Sequence, residues 1–151
     1  MSPLRSLTRP VHASRDLVLL IARVGLGVVF IAHGWQKYRT NGIDGTAAGF
    51  DQMGVPAPTR SAYYATAVEL IGGAALILGA LTTVAGILLT LDMVGAFAFV
   101  HLSNGPFVAD GGWELVVVLG LAALTLAAVG AGRFSVDSAV TRTGSRAPVH
   151  A

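Results

Sequence analysis

The sequence predicts an all-α integral membrane protein in which four transmembrane helices form an antiparallel bundle. The chain has 151 residues, which fits one domain. Hydrophobic residues make up 54% of it and charged residues only 12%, whereas soluble domains usually contain about 25% charged residues. Four apolar runs also approach the roughly 20 residues that a helix needs to cross a bilayer. A water-facing surface could hardly be covered by so few charges.

The four runs divide the chain into a membrane domain and two tails. Residues 1–15 are basic and polar, and we expect a cytoplasmic tail rather than a cleaved signal peptide, because Arg23 interrupts the first apolar run. Residues 16–130 form the predicted membrane domain, and residues 131–151 a flexible cytoplasmic tail. The predicted spans are Leu17–Trp35, Ala62–Leu81, Val84–Val100 and Trp113–Val129.

Loop lengths and basic residues predict the orientation of the bundle. Only Thr82 and Thr83 separate the second and third spans, so these helices form a tight hairpin, and the two longer loops lie together at the opposite end. The tails carry six arginines against three Lys or Arg residues in the longer loops. Positive residues favour the cytoplasmic side. The sequence therefore predicts a multi-pass protein of the bacterial cytoplasmic membrane, with both termini in the cytoplasm and lipids as its neighbours.

The loop between the first two spans is predicted to be ordered. It contains Phe50 and Met53 and ends in Gly54-Val55-Pro56-Ala57-Pro58, where the prolines stop any helix. A short interfacial helix over Thr46–Met53, covering the outer mouth of the bundle, and an ordinary ordered loop are both compatible with this pattern.

Small and aromatic residues have predicted structural roles within the spans. Glycines allow helix backbones to approach closely in membranes, and Trp and Tyr near the ends of spans are typical of interface anchors. The glycines are Gly25, Gly27, Gly72, Gly73, Gly79 and Gly86, and the aromatic residues are Trp35, Tyr63, Tyr64 and Trp113.

Composition excludes several kinds of chemistry. The chain has no cysteine, which excludes disulfides, thiolate zinc sites and iron–sulfur ligation. It also excludes any other cofactor that is ligated by, or covalently attached to, a cysteine. Electrons would have to pass through a bound small molecule or a partner protein. The formal charge of +2 is too small for a nucleic-acid-binding stripe, and we expect no nucleic-acid partner.

Two ionisable residues near mid-membrane predict a supporting ion pair. Arg23 lies about 10 Å from the cytoplasmic end of the first span and Asp92 about 13 Å from that end of the third. A charge at the centre of a spanning helix costs about 2.5–3.5 kcal/mol on insertion scales. At similar depths, each residue is the expected partner of the other.

A second cluster is predicted in the outer half of the bundle. His33 and Lys37 lie near the outer end of the first span, His101 and Glu114 flank the second loop, and Glu69 lies about 10 Å below the outer start of the second span. These five residues are the predicted ligand-binding set. Asp92 and His101 are nine residues apart, which places them on opposite sides of a regular helix, so we expect them to face different neighbours.

Three uses of this outer cluster remain open from the residues alone. A quinone fits, because its carbonyls need donors and its protons need carriers, for which Glu69 and His101 are the catalytic candidates. A divalent metal could instead bind His33, Glu69, His101 and Glu114. Proton-coupled transport is the third use, although four spans without an inverted repeat would require a homo-oligomer.

Several motifs resemble the DoxX family of small bacterial four-helix membrane proteins. They are the run Arg23…Phe30-Ile31-Ala32-His33-Gly34-Trp35-Gln36-Lys37, the loop Phe50–Pro58, and Glu69-Leu70-Ile71-Gly72-Gly73 followed by Gly79. The resemblance covers roughly residues 16–130 and implies the four-helix fold. Carried over by motif, it favours Arg23, His33, Lys37 and Glu69 as functional positions.

The resemblance also implies a function. The wider family is similar to DoxD-type subunits of thiosulfate:quinone oxidoreductase and is linked with membrane redox and oxidative-stress assemblies. It implies a subunit of a quinone-linked oxidoreductase that binds a quinone and works with a redox partner protein. It does not carry thiosulfate over as the substrate. The competing hypothesis is a non-enzymatic membrane scaffold that docks redox or stress-response proteins.

Overall fold

Helices make up nearly all of the regular structure in the computed structural model, which describes residues 4–144 and the side chains of residues 14–143. The α-helices are α1 (Leu4–Trp35), α2 (Gly42–Gln52), α3 (Pro58–Leu78), α4 (Thr82–Ala96), α5 (Glu114–Val129) and α6 (Val136–Gly144). A π-helical turn, Gln36–Thr40, continues α1, and a second, Phe97–His101, continues α4. Short 3₁₀ turns follow at Leu102–Asn104 and Val108–Asp110. No strand occurs within the described residues.

Four of these helices form the predicted membrane bundle. Ser14–Thr40, Pro58–Leu78 and Thr82–Asn104 are long and apolar enough to cross a bilayer, and Glu114–Val129 is a shorter apolar helix. Helix α1 packs on α3, α3 on α4, and α4 on α5, which also contacts α1. Buried apolar residues from all four helices form the core, including Phe30, Leu76, Leu89 and Ala123. The all-α membrane fold is thus confirmed.

Glycines hold two of the helix pairs at close range. A Cβ on Gly27 would lie 2.5 Å from the carbonyl oxygen of Gly73, so α1 and α3 meet backbone to backbone. A Cβ on Gly86 would lie 2.7 Å from the carbonyl oxygen of Ala123, so α4 and α5 meet in the same way. Such separations allow only glycine. Gly25 has no neighbour within 4 Å of that position, so its predicted packing role is wrong.

Both predicted tails contain helix where the structure describes them. Helix α1 begins at Leu4, well before the predicted start of the first span, and α6 lies within the predicted flexible segment 131–151. The backbone N–H of Asp137 donates to Gly79, and that of Arg133 donates to Asp16 Oδ1. These bonds attach the segment after α5 to the end of the bundle that carries the α3–α4 turn, which we call the inner end.

The opposite end, here the outer end, carries α2 and residues 102–113. Of the two predicted alternatives for this loop, the short helix is present: α2 begins at Gly42, four residues before the predicted start, and packs on α3, and Thr46 Oγ1 donates to the carbonyl of Lys37 at 3.2 Å. Residues 105–114 form a second ordered loop closed by backbone hydrogen bonds, including Trp113 N–H to Gly105 at 3.1 Å. The outer end is therefore covered by structured segments.

Candidate functional site

Arg23 belongs to the inner end and does not pair with Asp92. Its side chain is completely buried, and its guanidinium donates to the carbonyl oxygens of Leu76, at 3.2 Å, and Phe134. A Cβ on Gly79 would collide with the guanidinium, which explains the glycine there. The predicted Arg23–Asp92 ion pair is wrong because the long side chain extends towards the start of its own helix and reaches the end of α3.

Asp137 closes the inner end from α6. Its two carboxylate oxygens accept from the backbone N–H groups of Leu81, at 2.7 Å, and Thr82, at 3.0 Å. These N–H groups start α4 and have no partner within that helix, so the carboxylate caps the helix. Partial burial alone would raise the pKa of Asp137, but the two backbone hydrogen bonds and the charge of Arg23 outweigh burial and lower the pKa. The contacts that Arg23 and Asp137 make at the inner end are thus structural.

The lowered pKa of Asp137 predicts a pH-dependent contribution to stability. A carboxylate with a lowered pKa stabilises the fold fully above its unfolded pKa of about 3.9 and loses that effect as the pH falls through the folded value. We expect Asp137→Ala to lower the free energy of unfolding by about 1–2 kcal/mol at pH 7, as loss of a helix cap does. The deficit relative to wild type should shrink below about pH 4. A deficit of the same size at pH 7 and pH 3, measured by denaturant unfolding in detergent, would contradict this role.

The candidate site is a cavity of about 370 Å³ at the outer end, between α2, α3, α4 and the second π turn. Its walls are mostly apolar and aromatic. Leu91 and Phe99 line it and are 56% and 47% exposed. The wall residues are Phe50, Val55, Pro56, Ser61, Tyr64, Ala65, Leu91, Met93, Gly95, Ala96, Phe99 and Val100. An apolar molecule could therefore enter sideways from the bilayer.

Three ionisable groups lie at the buried side of this cavity. Lys37 Nζ and Glu69 Oε2 form an ion pair at 2.7 Å, and Glu69 is only 2% exposed. Asp92, 8% exposed, also lines the cavity and lies within electrostatic range of both. One ammonium thus faces two carboxyl groups, and the structure brings the predicted residues Lys37 and Glu69 together.

His101 also lines the cavity, at the rim. Its Nδ1 lies 2.6 Å from the carbonyl oxygen of Gly111. Because a carbonyl only accepts, Nδ1 carries the hydrogen, and Nε2 of the neutral ring is left for another partner. Asp92 and His101 line the same cavity, although a regular helix would place them on opposite sides, because the π turn that ends at His101 changes the helical phase. Their polar neighbours differ, as predicted: Lys37 and Glu69 lie near Asp92, and Gly111 contacts His101. Lys37 lies on the other π turn, so both turns present polar groups to the cavity.

His33 and Glu114 do not line the cavity, contrary to the predicted ligand-binding set. His33 Nδ1 bonds to the carbonyl of Val29 in its own helix at 2.9 Å, although its ring remains within electrostatic range of Glu69. Glu114 Oε1 accepts from the backbone N–H of Val108 at 2.8 Å and so closes the second outer loop. Both residues have local structural partners instead.

The alternative metal site at His33, Glu69, His101 and Glu114 is not formed. Across the described part of the chain, no three His, Asp or Glu side chains come together in a way that could hold a metal ion. His33 and Glu114 are held by the backbone contacts given above. The donor set that remains at the cavity is an ammonium, two carboxyl groups and one imidazole.

Asp92 and Tyr64 are the site residues that the sequence interpretation assigned elsewhere. Asp92 was expected to pair with Arg23, and Tyr64 was expected to anchor the interface. A signal for Asp92 was present, because Glu69 and Asp92 lie nine and ten residues from the ends of α3 and α4 that meet at the tight turn. At 1.5 Å per residue these distances are about 14 and 15 Å, so the two carboxyl groups share one depth in the hairpin.

Comparison with known proteins agrees with this architecture. A family model described as DoxX matches residues 18–102. The "Putative oxidoreductase CatD" of Bacillus subtilis is 32% identical over 108 residues, covering 72% of this chain and 77% of that protein. The "Uncharacterized membrane protein Rv3486" of Mycobacterium tuberculosis is 32% identical over 146 residues, covering 89% and 88%.

A third relative comes from another bacterium. The "Inner membrane protein YphA" of Escherichia coli is 30% identical over 132 residues, covering 83% of this chain and 91% of that protein. No solved structure shows a significant match. The matched segment contains the cavity residues Lys37, Glu69, Asp92 and His101. The family model, the relatives and the four-helix architecture together show that this chain is a membrane protein of the DoxX family.

Proposed function

We propose that this protein is a multi-pass component of the bacterial cytoplasmic membrane that binds a quinone or a comparable lipophilic redox molecule in the outer cavity. It exchanges electrons with that molecule through a partner protein. The termini face the cytoplasm and the cavity faces the outer leaflet, in accordance with the distribution of Lys and Arg residues. The observation that carries the proposal is a mostly apolar cavity within the membrane bundle with ionisable groups at its buried side.

The shape of the cavity suits a membrane-soluble ligand. Its exposed walls, Leu91 and Phe99, would contact the tail and ring edge of such a molecule, and Phe50 of α2 covers the outer side. A volume of about 370 Å³ lies in the range of small-molecule sites, which are mostly apolar and carry a few polar groups that fix orientation. A substituted ring with the start of its tail would fit.

The polar groups suit a ligand that exchanges protons with electrons. Lys37 can donate to a ring oxygen, and the carboxyl of Glu69 and the imidazole of His101 can take up or release protons. Because the chain has no cysteine, the electrons must come from a partner protein or a bound molecule. The printed name of CatD gives support from similarity for an oxidoreductase system.

A binding titration tests this function. Purified protein in detergent would be titrated with decylubiquinone and with anaerobically reduced decylubiquinol, comparing wild type with Glu69→Gln and His101→Ala. We expect wild type to bind and both variants to bind the quinol at least about tenfold more weakly, because each variant loses an acceptor for a ligand hydroxyl, worth about 1.4 kcal/mol. The matched control is Asp44→Asn, which neutralises an exposed carboxyl of α2 outside the cavity. Absence of binding by wild type, or equal binding by wild type and both cavity variants, would overturn the proposal.

A further inference from the structure

We propose that the cavity recognises the reduced, hydroxyl-bearing form of its ligand, a quinol, in preference to the quinone, through acceptor oxygens of Asp92 and Glu69. This inference rests on the proposed function and concerns the same cavity. It follows from a count of the hydrogen-bond donors and acceptors that face the empty volume. The protein supplies too few donors for these carboxyl oxygens, and a head group with hydroxyl hydrogens supplies the missing ones.

Asp92 is the first acceptor in this count. Asp92 lines the cavity, and only 8% of its surface is exposed. Within the residues that the structure describes, its carboxyl accepts no hydrogen bond and has no cation within 4 Å. When it is ionised, this carboxyl offers several lone-pair sites and no hydrogen. Its oxygens are not among the fully buried side-chain atoms that lack a partner, so they can be reached from the cavity, where a ligand hydroxyl can donate to them.

Glu69 adds a second acceptor. Its Oε2 is occupied by Lys37 Nζ at 2.7 Å, whereas no donor to its Oε1 is found among the described residues. Lys37 is also the cation that lies within electrostatic range of Asp92. The ammonium of Lys37 is therefore shared by two carboxyl groups. The oxygens of Asp92 and Glu69 that have no donor outnumber the Lys37 hydrogens that remain for them.

The other polar groups do not reverse this balance. The Nδ1 hydrogen of His101 is used by the carbonyl of Gly111, so Nε2 of the neutral ring is an acceptor. Ser61 Oγ donates its hydrogen to the carbonyl of Pro56 at 2.7 Å. Tyr64 has one hydroxyl hydrogen at a half-exposed position. Acceptors dominate the cavity after each of these groups is counted.

The two redox forms of the ligand differ in the property that this cavity selects. A quinol carries two hydroxyl groups that donate, whereas the carbonyl oxygens of a quinone only accept and would face the carboxylate oxygens unfavourably. We expect quinol to bind at least tenfold more tightly than quinone. Tighter binding of the reduced form raises the potential of the bound couple, and a tenfold ratio corresponds to about 30 mV for two electrons.

The test compares both forms on the same full-length protein in detergent. Decylubiquinol, kept reduced under anaerobic conditions, and decylubiquinone are titrated against wild type, Asp92→Asn and Asp51→Asn at about pH 8.5, which favours ionised carboxyl groups. The asparagine amide at position 92 donates where the carboxylate could not, so quinol should bind more weakly, quinone more tightly, and the ratio should fall to about one or reverse. Asp51 lies exposed on α2 outside the cavity, and Asp51→Asn should retain the wild-type ratio.

Each outcome separates this inference from the proposed function. Equal affinity of wild type for the two forms, or tighter quinone binding, overturns the preference for quinol and leaves the proposed function standing. Binding of neither form overturns the proposed function itself. A wild-type preference that persists in folded Asp92→Asn overturns the assignment to Asp92. The wild-type comparison needs no variant, so the preference is tested even if Asp92→Asn fails to fold.

Discussion

Replacing Arg23 with leucine is expected to lower the free energy of unfolding by about 3–5 kcal/mol, because two hydrogen bonds from a charged donor are lost. Arg23 is completely buried and donates to the carbonyl oxygens of Leu76 and Phe134. Both carbonyls would lose this donor, and one of the links between α3 and the segment after α5 would be lost, leaving the bond from Asp137 to Gly79. Arg23→Lys should recover only part of the loss, since an ammonium lacks the planar fork that reaches two acceptors.

The measurement is denaturant unfolding of purified protein in detergent, with Arg60→Leu as the control. Arg60 is exposed at the outer end, and its replacement should change the free energy of unfolding by less than about 0.5 kcal/mol. A double-mutant cycle of Arg23→Leu with Asp92→Asn should give a coupling energy within about 0.5 kcal/mol of zero, as for distant sites. A coupling energy well above that value would indicate that Arg23 and Asp92 do form an ion pair.

Replacing Lys37 with methionine is expected to destabilise the protein by about 3–5 kcal/mol, as removal of one partner from a buried ion pair does. Glu69 is 2% exposed, and its carboxylate would lose the ammonium 2.7 Å away. Glu69→Gln should be less harmful, because Lys37 is partly exposed and can reach water. The double variant Lys37→Met/Glu69→Gln should recover at least half of the loss caused by Lys37→Met.

The same three variants separate stability from ligand binding. The double variant should be folded yet bind decylubiquinone at least about tenfold more weakly than wild type, because it lacks the Lys37 ammonium that can donate to a ring oxygen. If Lys37→Met and Glu69→Gln were simply additive in the double variant, the ion pair would contribute nothing to the fold. Unfolding of each variant therefore measures what the Lys37–Glu69 pair contributes to stability, and titration measures what it contributes to ligand binding.

The fold could be predicted from the sequence because bilayer geometry leaves few solutions. Apolar runs of the required length must be helices in lipid, where every backbone group needs an internal partner. The short connection at Thr82 predicted the hairpin between the second and third spans. The prolines that follow Phe50 predicted where the short helix of the first loop ends. The helical continuation of both ends, including α6, was not predicted, because short polar segments take their structure from contacts such as that of Asp137 with α4.

The charged residues were harder to place, because depth along a helix does not fix where a side chain ends. Arg23 was paired with Asp92 by depth, yet its long side chain reaches the carbonyl of Leu76 at the inner end. His101 was placed away from Asp92 by the period of a regular helix, and a π turn that no local residue pattern announces rotates it back. Lys37 and Glu69 were grouped correctly, because Lys37 follows the outer end of α1 and its long side chain reaches the middle of α3, the helix on which α1 packs.

The location of the bound ligand tests the central claim most directly. A photoreactive ubiquinone analogue with a decyl tail would be cross-linked to full-length protein in detergent, and the labelled peptides identified by mass spectrometry. We expect labels on residues that line the outer cavity, such as Phe50, Tyr64 and Phe99, and their loss when unlabelled decylubiquinone competes. Labels confined to the apolar groove between α4 and α5, around Val94 and Leu121, or labels that resist competition, would contradict a ligand site in the cavity.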